Sequence, residues 1–199
     1  DGNHFFTAVA EMLGFGYGNT DNVPEQKIIR DWEGNGLSLA SCNKNPTTIA
    51  IVGSDPGSPA TNRKCLISHD AGLNWSDFWS RPAVCEDAPW GGNIAISGTD
   101  SLNMVWVPEF RTFNLAGCSG GPVINHPRYT TDGGQTWGFC DSIRFTNGNF
   151  PFTLNSTSRI GKFLESDKVN GSRFYYYAVP VDTAFRAQIW SSANGGATW

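Results

Sequence analysis

The side chains with the most evident binding capacity in this chain are aromatic. Trp32, Trp79, Trp90, Tyr17 and Phe110 fall in or beside long stretches that lack strand periodicity. Sugar rings present apolar C–H faces that stack on Trp and Tyr, and their hydroxyls bond to Asn and Asp side chains. Stacking on a polysaccharide ligand is one reading of these aromatics; packing between structural units is the equal alternative for each, because Trp is rarely left exposed. Trp106 and Trp190 sit in strand-like runs and read as core. His4, His69 and His126 show no ligand spacing, and the five cysteines form no CxxC pair and no Cys/His metal spacing. No nucleophile elbow, phosphate loop or zinc signature occurs. Neither a metal nor a cofactor is expected.

The elements that would position these residues are strands. The chain has 199 residues, 23 of them Gly, with 8 Trp, 5 Tyr and 13 Phe, which fits many short strands joined by tight turns. A core of this size can be buried without metals or a disulfide scaffold. With 14 Lys+Arg against 18 Asp+Glu, a net charge of −4 argues against a surface that tracks nucleic-acid phosphates or anionic membrane. No run approaches the ~20 apolar residues of a membrane helix, so no membrane partner is expected. The start at Asp1, without Met or a signal-like stretch, reads as a mature or excised product. Sequons at Asn74, Asn155 and Asn170 agree with a secretory, extracellular route and N-glycosylation, although an Asn-rich chain yields some by chance; Asn45 is blocked by Pro46.

An internal repeat organises the chain. The stretch Ser68-His69-Asp70-Ala71-Gly72-Leu73-Asn74-Trp75 matches Thr130-Thr131-Asp132-Gly133-Gly134-Gln135-Thr136-Trp137. Both match Ser192-Ala193-Asn194-Gly195-Gly196-Ala197-Thr198-Trp199, where Asn194 takes the Asp position. The tryptophans are evenly spaced, 137 − 75 = 62 and 199 − 137 = 62. The pattern predicts a tight turn in which the Asp carboxylate accepts backbone N–H bonds, Gly takes a positive φ and Trp anchors the hairpin. The Asp residues are expected to be structural and not metal ligands.

The same strand grammar precedes each turn. Gly36–Ala40, Thr48–Val52 and Cys65–Ser68 recur as Asn93–Ser97, Met104–Val107 and Pro127–Thr130, and again as Ile160–Leu164, Arg173–Val179 and Gln188–Ser191. Each unit reads as strand A, short turn, strand B, longer loop, strand C, repeat turn, strand D, which is a β-propeller blade. The expected division is 1–33, the end of a preceding blade (strand D over 1–9) plus a long loop; 34–90, a blade; 91–158, a blade; and 159–199, a blade lacking strand D. A propeller typically has 4–8 blades. The remaining blades are therefore expected either elsewhere in a longer chain or in further copies of this one.

In blade topology the A–B and repeat turns share one face, and the long segments 10–33, 54–64, 80–91, 108–127, 144–158 and 180–187 share the other. Function is expected on the long-segment face. Cys85 and Cys118 both lie there, flanking the second blade, which predicts a disulfide between them with Cys65 as competitor. An odd count leaves one thiol buried and free, or paired outside the chain.

The eight-residue pattern resembles the Asp box, S-x-D-x-G-x-x-W, of sialidase-like propellers. Together with Gly91-Gly92-Asn93-Ile94-Ala95-Ile96-Ser97 and Val105-Trp106-Val107-Pro108 it resembles the xyloglucanase family of Asp-box propellers. That resemblance implies a secreted β-1,4-glucan hydrolase that inverts configuration with one catalytic aspartate from each of two propellers. Inversion needs two carboxyl groups ~6.5–9.5 Å apart, one protonated and one ionised to activate water. The family's acid loop, G-D-x-x-G-F-x-H-D-D, corresponds to 10–19: Gly14-Phe15 match, Glu11 stands for the first Asp, and Tyr17-Gly18-Asn19 replace His-Asp-Asp. Glu11, with Asp21 in reserve, is the implied carboxylate, and its partner would lie outside this chain; solvated loop acids are the alternative. Three functions stay open: a glycan hydrolase resembling xyloglucanases, a noncatalytic glycan-binding propeller, or a structural extracellular glycoprotein whose blades complete one another between subunits.

Overall fold

Ile49-Ala50-Ile51-Val52 and Met104-Val105-Trp106-Val107 are apolar on both strand faces, as strands buried between two layers must be. The computed structural model describes residues 5–9, 13–17, 26–27, 35–54, 64–78, 91–107, 127–141, 163–178 and 188–199. These form antiparallel sheets whose strands follow one another in chain order. The first four-stranded sheet joins β4 (Asn35–Ser41), β5 (Ile49–Ser54), β6 (Lys64–Ser68) and β7 (Ser76–Asp77). The second joins β8 (Asn93–Ile96), β9 (Met104–Val107), β10 (Arg128–Thr130) and β11 (Gly138–Phe139). A third, of β12 (Leu164–Ser166), β13 (Phe174–Ala178) and β14 (Gln188–Ser192), has no fourth strand among the described residues.

The sheets stack face to face, with β4 packed on β8 and β8 on β12. Ala40, Ala50, Val52, Cys65 and Ile67 of the first sheet meet Ile94, Ile96, Met104 and Trp106 of the second. The opposite face of the second sheet, Ala95, Val105 and Val107, meets Leu164, Phe174 and Tyr176 of the third. Polar side chains join the first strands across these junctions. Ser38 Oγ accepts from Ile94 N (3.1 Å) and donates to Ile94 O (3.4 Å), and Asn93 Oδ1 accepts from Phe163 N (3.0 Å). At the rim, Phe78 stacks on Trp137 at 5.4 Å, and its carbonyl accepts from Trp137 Nε1 (3.3 Å).

The N-terminal segment differs from the sequence expectation. Residues 5–9 are a strand, β1 (Phe5–Val9), but 10–33 is not simply a long loop: β2 (Leu13–Tyr17) pairs with β1, and β3 (Gln26–Lys27) with β2. Gly14 and Gly16 disguise β2 as a loop, yet close approach requires glycine at 16, where a Cβ would lie 2.9 Å from the Phe6 ring. This small sheet covers the remaining face of the first four-stranded sheet, Phe6 and Ala8 packing on Leu39, Ile51, Leu66 and Trp75. Cys42 and Cys140 are buried free thiols and Cys65 is buried in the first junction, while Cys85 and Cys118 lie outside the described residues.

Candidate functional site

One edge of the sheets is closed by short turns of repeated geometry. In the three eight-residue turns the first hydroxyl donates to the third residue: Ser68 Oγ to Asp70 Oδ1 (2.8 Å), Thr130 Oγ1 to Asp132 Oδ1 (2.7 Å) and Ser192 Oγ to Asn194 Oδ1 (3.0 Å). The same hydroxyls accept from the N–H of Gly72, Gly134 and Gly196. Those glycines have φ of 84°, 90° and 95°. The third residue also accepts from a backbone N–H four positions on, at Asn74 (2.9 Å), Thr136 (2.9 Å) and Thr198 (3.0 Å). Each Trp indole closes the ring by donating to the carbonyl of Gly72, Gly134 or Gly196. The bonds from the Asn74 N–H, its side-chain amide and the Ser68 hydroxyl lower Asp70 to about 2. Those from the Thr136 hydroxyl, its N–H and the Thr130 hydroxyl lower Asp132 to about 2. A carboxylate so satisfied is a backbone clamp, poorly suited to proton transfer near neutral pH.

The A–B turns lock onto these clamps, Ala71, Gly133 and Gly195 donating their N–H to the carbonyls of Thr47, Leu102 and Ser172 at 2.8–2.9 Å. The opposite edge is the last described row of each sheet. Val52 pairs with Cys65, whose carbonyl accepts from Phe78 N; Asn93 pairs with Val107; and Pro127 O accepts from Cys140 N. The described residues that flank 55–63, 79–90, 108–126, 142–162 and 179–187 lie toward this edge. Beneath it runs a cross-sheet row of Ile94, Trp106, Arg128 and Phe139. Trp106 is fully buried, its indole donating to Gly91 O (2.8 Å), and Arg128 is buried with its guanidinium 4.6 Å over the Phe139 ring. Burial pushes the Cys140 thiol up to about 12 and raises the Tyr176 phenol, so both are neutral at pH 7 and unsuited to nucleophilic attack. Sequence reasoning placed Arg128 in strand C without a role. Its alternation with Thr130 about Tyr129, which puts both on one strand face, was the available signal.

The structure brings together every residue of the three repeat turns. It places Tyr17 at the end of β2, in register with Phe5 of β1. Glu11, Asp21, Trp32, Trp79, Trp90, Phe110 and Asn155 lie outside the described residues. Asn74 and Asn170 are both exposed.

No family model matches the chain. Over its whole length it is 22% identical to the xyloglucanase Xgh74A of Acetivibrio thermocellus and 24% identical to a xyloglucanase of a Paenibacillus species. It spans 18% and 16% of those proteins, less than a fifth of either. Among solved structures, the GH74 xyloglucanase of Xanthomonas campestris superposes with a TM-score of 0.63 at 22% identity, covering all of this chain and 22% of that one. Stacked antiparallel four-stranded meanders and this superposition identify the fold: the chain is a segment of a β-propeller.

Proposed function

We propose that this chain is part of a secreted, polysaccharide-directed Asp-box propeller acting on xyloglucan or a related β-1,4-glucan. The observation that carries the reading is the end-to-end similarity to two xyloglucanases. Glu11, with Asp21 in reserve, supplies one carboxylate of an inverting pair, and the second comes from outside these 199 residues. Anchorage of β1 supports this role: Phe6 packs on Trp75 of the first repeat turn at 6.3 Å, and the strand runs from there to Val9, which pairs with Leu13. The two ends that Glu11 connects thus lie away from the turn. Tyr17, Trp32, Trp79, Trp90 and Phe110 provide stacking surface for the glycan, exposed Asn74 and Asn170 suit a secreted glycoprotein, and a Cys85–Cys118 disulfide braces the second blade.

The test is xyloglucan hydrolysis by the full-length protein. Glu11→Gln keeps the shape and removes the charge, so turnover falls by orders of magnitude while binding is retained. Unchanged turnover in both Glu11→Gln and Asp21→Asn overturns the catalytic role of this segment. Full binding with no turnover in the unaltered protein selects the glycan-binding reading. A structural role through blade completion is favoured by one observation, the exposure of Tyr175, Tyr177 and Ile189 on the outer face of the third sheet.

A further inference from the structure

Asn-Gly dipeptides are the places where a polypeptide most readily attacks itself, because glycine leaves the following backbone nitrogen unhindered. The chain has them at Asn35, Asn147, Asn170 and Asn194, of which Asn147 lies outside the described residues. Asn35-Gly36 is held in β4, in register with Ser54 and Gly53. The other two differ sharply. Around Asn194 every reacting group is tied: Gly195 N donates to Ser172 O (2.8 Å), Asn194 Oδ1 accepts from Ser192 Oγ and Thr198 N, and Asn194 Nδ2 donates to Thr198 Oγ1 (2.9 Å). Asn170 is exposed, and neither its Nδ2 nor the Gly171 N–H donates a hydrogen bond among the described residues. Its Oδ1 accepts from Ser172 N (3.3 Å) and Ser172 Oγ (3.0 Å), an Asx-turn geometry that folds the side chain back along the main chain over the Gly171 peptide.

We propose that, of the Asn-Gly pairs among the described residues, Asn170 is the one that deamidates in the folded protein wherever its sequon carries no glycan, while Asn194 is protected by the turn that contains it. In the step, Gly171 N loses its proton to a base in the buffer and attacks Asn170 Cγ. The Nδ2–Cγ bond breaks, the nitrogen leaves as ammonia, and a succinimide forms. Water then opens the ring at either carbonyl, giving aspartate or isoaspartate; no oxidant or reductant is needed. The position has consequences beyond one charge. Asn103 Nδ2 donates to Gly171 O (3.5 Å), and Gly171 packs so closely on the second sheet that a Cβ there would strike Thr99 Oγ1. Isoaspartate lengthens the main chain by a methylene immediately before this close contact, and so shifts the Gly171 peptide against Thr99 on the turn edge of the second and third sheets.

The experiment uses full-length protein made in a host without N-glycosylation, so that the Asn170 amide is free. Aliquots held in mildly alkaline buffer at physiological temperature are peptide-mapped by mass, and isoaspartate is read by enzymatic methyl transfer. The Asn170 peptide gains the amide-to-acid mass increment and the methyl-acceptor signal about tenfold or more faster than the Asn194 peptide, whose hydrogen bonds must open first. In denaturant the two react at similar rates, and Asn170→Gln abolishes the Asn170 signal in the folded protein. Equal rates at the two sites in folded protein, or an Asn170 that keeps its amide while Asn194 converts, overturns the proposal.

Discussion

Asp70, Asp132 and Asn194 occupy one position in three turns with the same hydrogen-bond pattern, and the first two differ from the third in carrying a charge. Hydrogen bonds hold both carboxyls near 2 against a usual 3.8, whereas the Asn194 amide makes the corresponding bonds without titrating. A depressed native pKa stabilises the fold above the unfolded value, and that contribution is lost as pH falls through the native one. Amide exchange at Asn74 and Thr136, corrected for intrinsic rates, should therefore accelerate as pH drops from 3.8 toward 2, relative to Thr198 in the uncharged turn. Equal protection at all three sites across that window would contradict the clamp. A second asymmetry sits one residue on. Ala71 holds φ of 60°, where the other turns place Gly133 and Gly195 at 75° and 74°. The left-handed conformation costs an L residue more than Ala gains over Gly in the unfolded chain, so Ala71→Gly should stabilise by roughly 0.5 kcal/mol in denaturant unfolding. The Asp, Gly and Trp roles were legible because turn chemistry is local. The dual role of the Ser/Thr hydroxyl was not, since one hydroxyl both donates and accepts only once the turn has formed.

At the scale of the element, apolar runs located the strands well: Met104–Val107 was read with its observed limits, and the neighbouring strands to within one or two residues. The exceptions were β12, read over Ile160–Leu164 and observed over Leu164–Ser166, and β2 and β3, read as loop; in β2, Gly14 and Gly16 in five residues removed the side chains on which strand periodicity depends. How sheets are joined was less visible still. Ser38 and Ile94 are 56 positions apart, and a serine near the start of a strand carries no local sign of its partner. Yet Ser38 is buried and provides both halves of the contact with the Ile94 peptide. Ser38→Ala leaves a buried N–H unmatched and should destabilise by about 1–3 kcal/mol in chemical denaturation, with no change in secondary-structure content. A cost within experimental error would mean that water replaces the hydroxyl. The seven-residue A–B turns were expected as separate features; their locking to the repeat turns through Ala71, Gly133 and Gly195 emerges only in three dimensions.

Across the whole molecule, the repeat makes the faces comparable position by position. Ala50 and Val52 in the first sheet correspond to Val105 and Val107 in the second, and each pair is buried by the next sheet along. The corresponding residues of the third sheet are Tyr175 and Tyr177, exposed at 37% and 42%, with Ile189 beside Tyr177 across the ladder at 76%. Phe163 stacks on Tyr177 at 6.2 Å, extending an apolar strip over this outer face. Burying apolar surface gains about 25 cal/mol per Å², and soluble monomers seldom leave contiguous strips of it wet. Glu165 is exposed in the position that Ala40 and Ala95 fill, so whatever covers this face must accommodate a carboxylate as well as two phenols. The sequence revealed that further blades should exist, because three repeats are fewer than a propeller closes with. It did not reveal that the outermost face is chemically unlike the inner junctions, since the alternation of Tyr175 and Tyr177 reads equally as core. The 199-residue chain alone should therefore associate through this face. Light scattering at micromolar concentration should report species well above 21.7 kDa, and Ile189→Lys together with Tyr177→Ser should shift them toward monomer without lowering the melting temperature. A monodisperse, cooperatively melting particle of 21.7 kDa from the unaltered chain would show that the face is stable in water and needs no further blade.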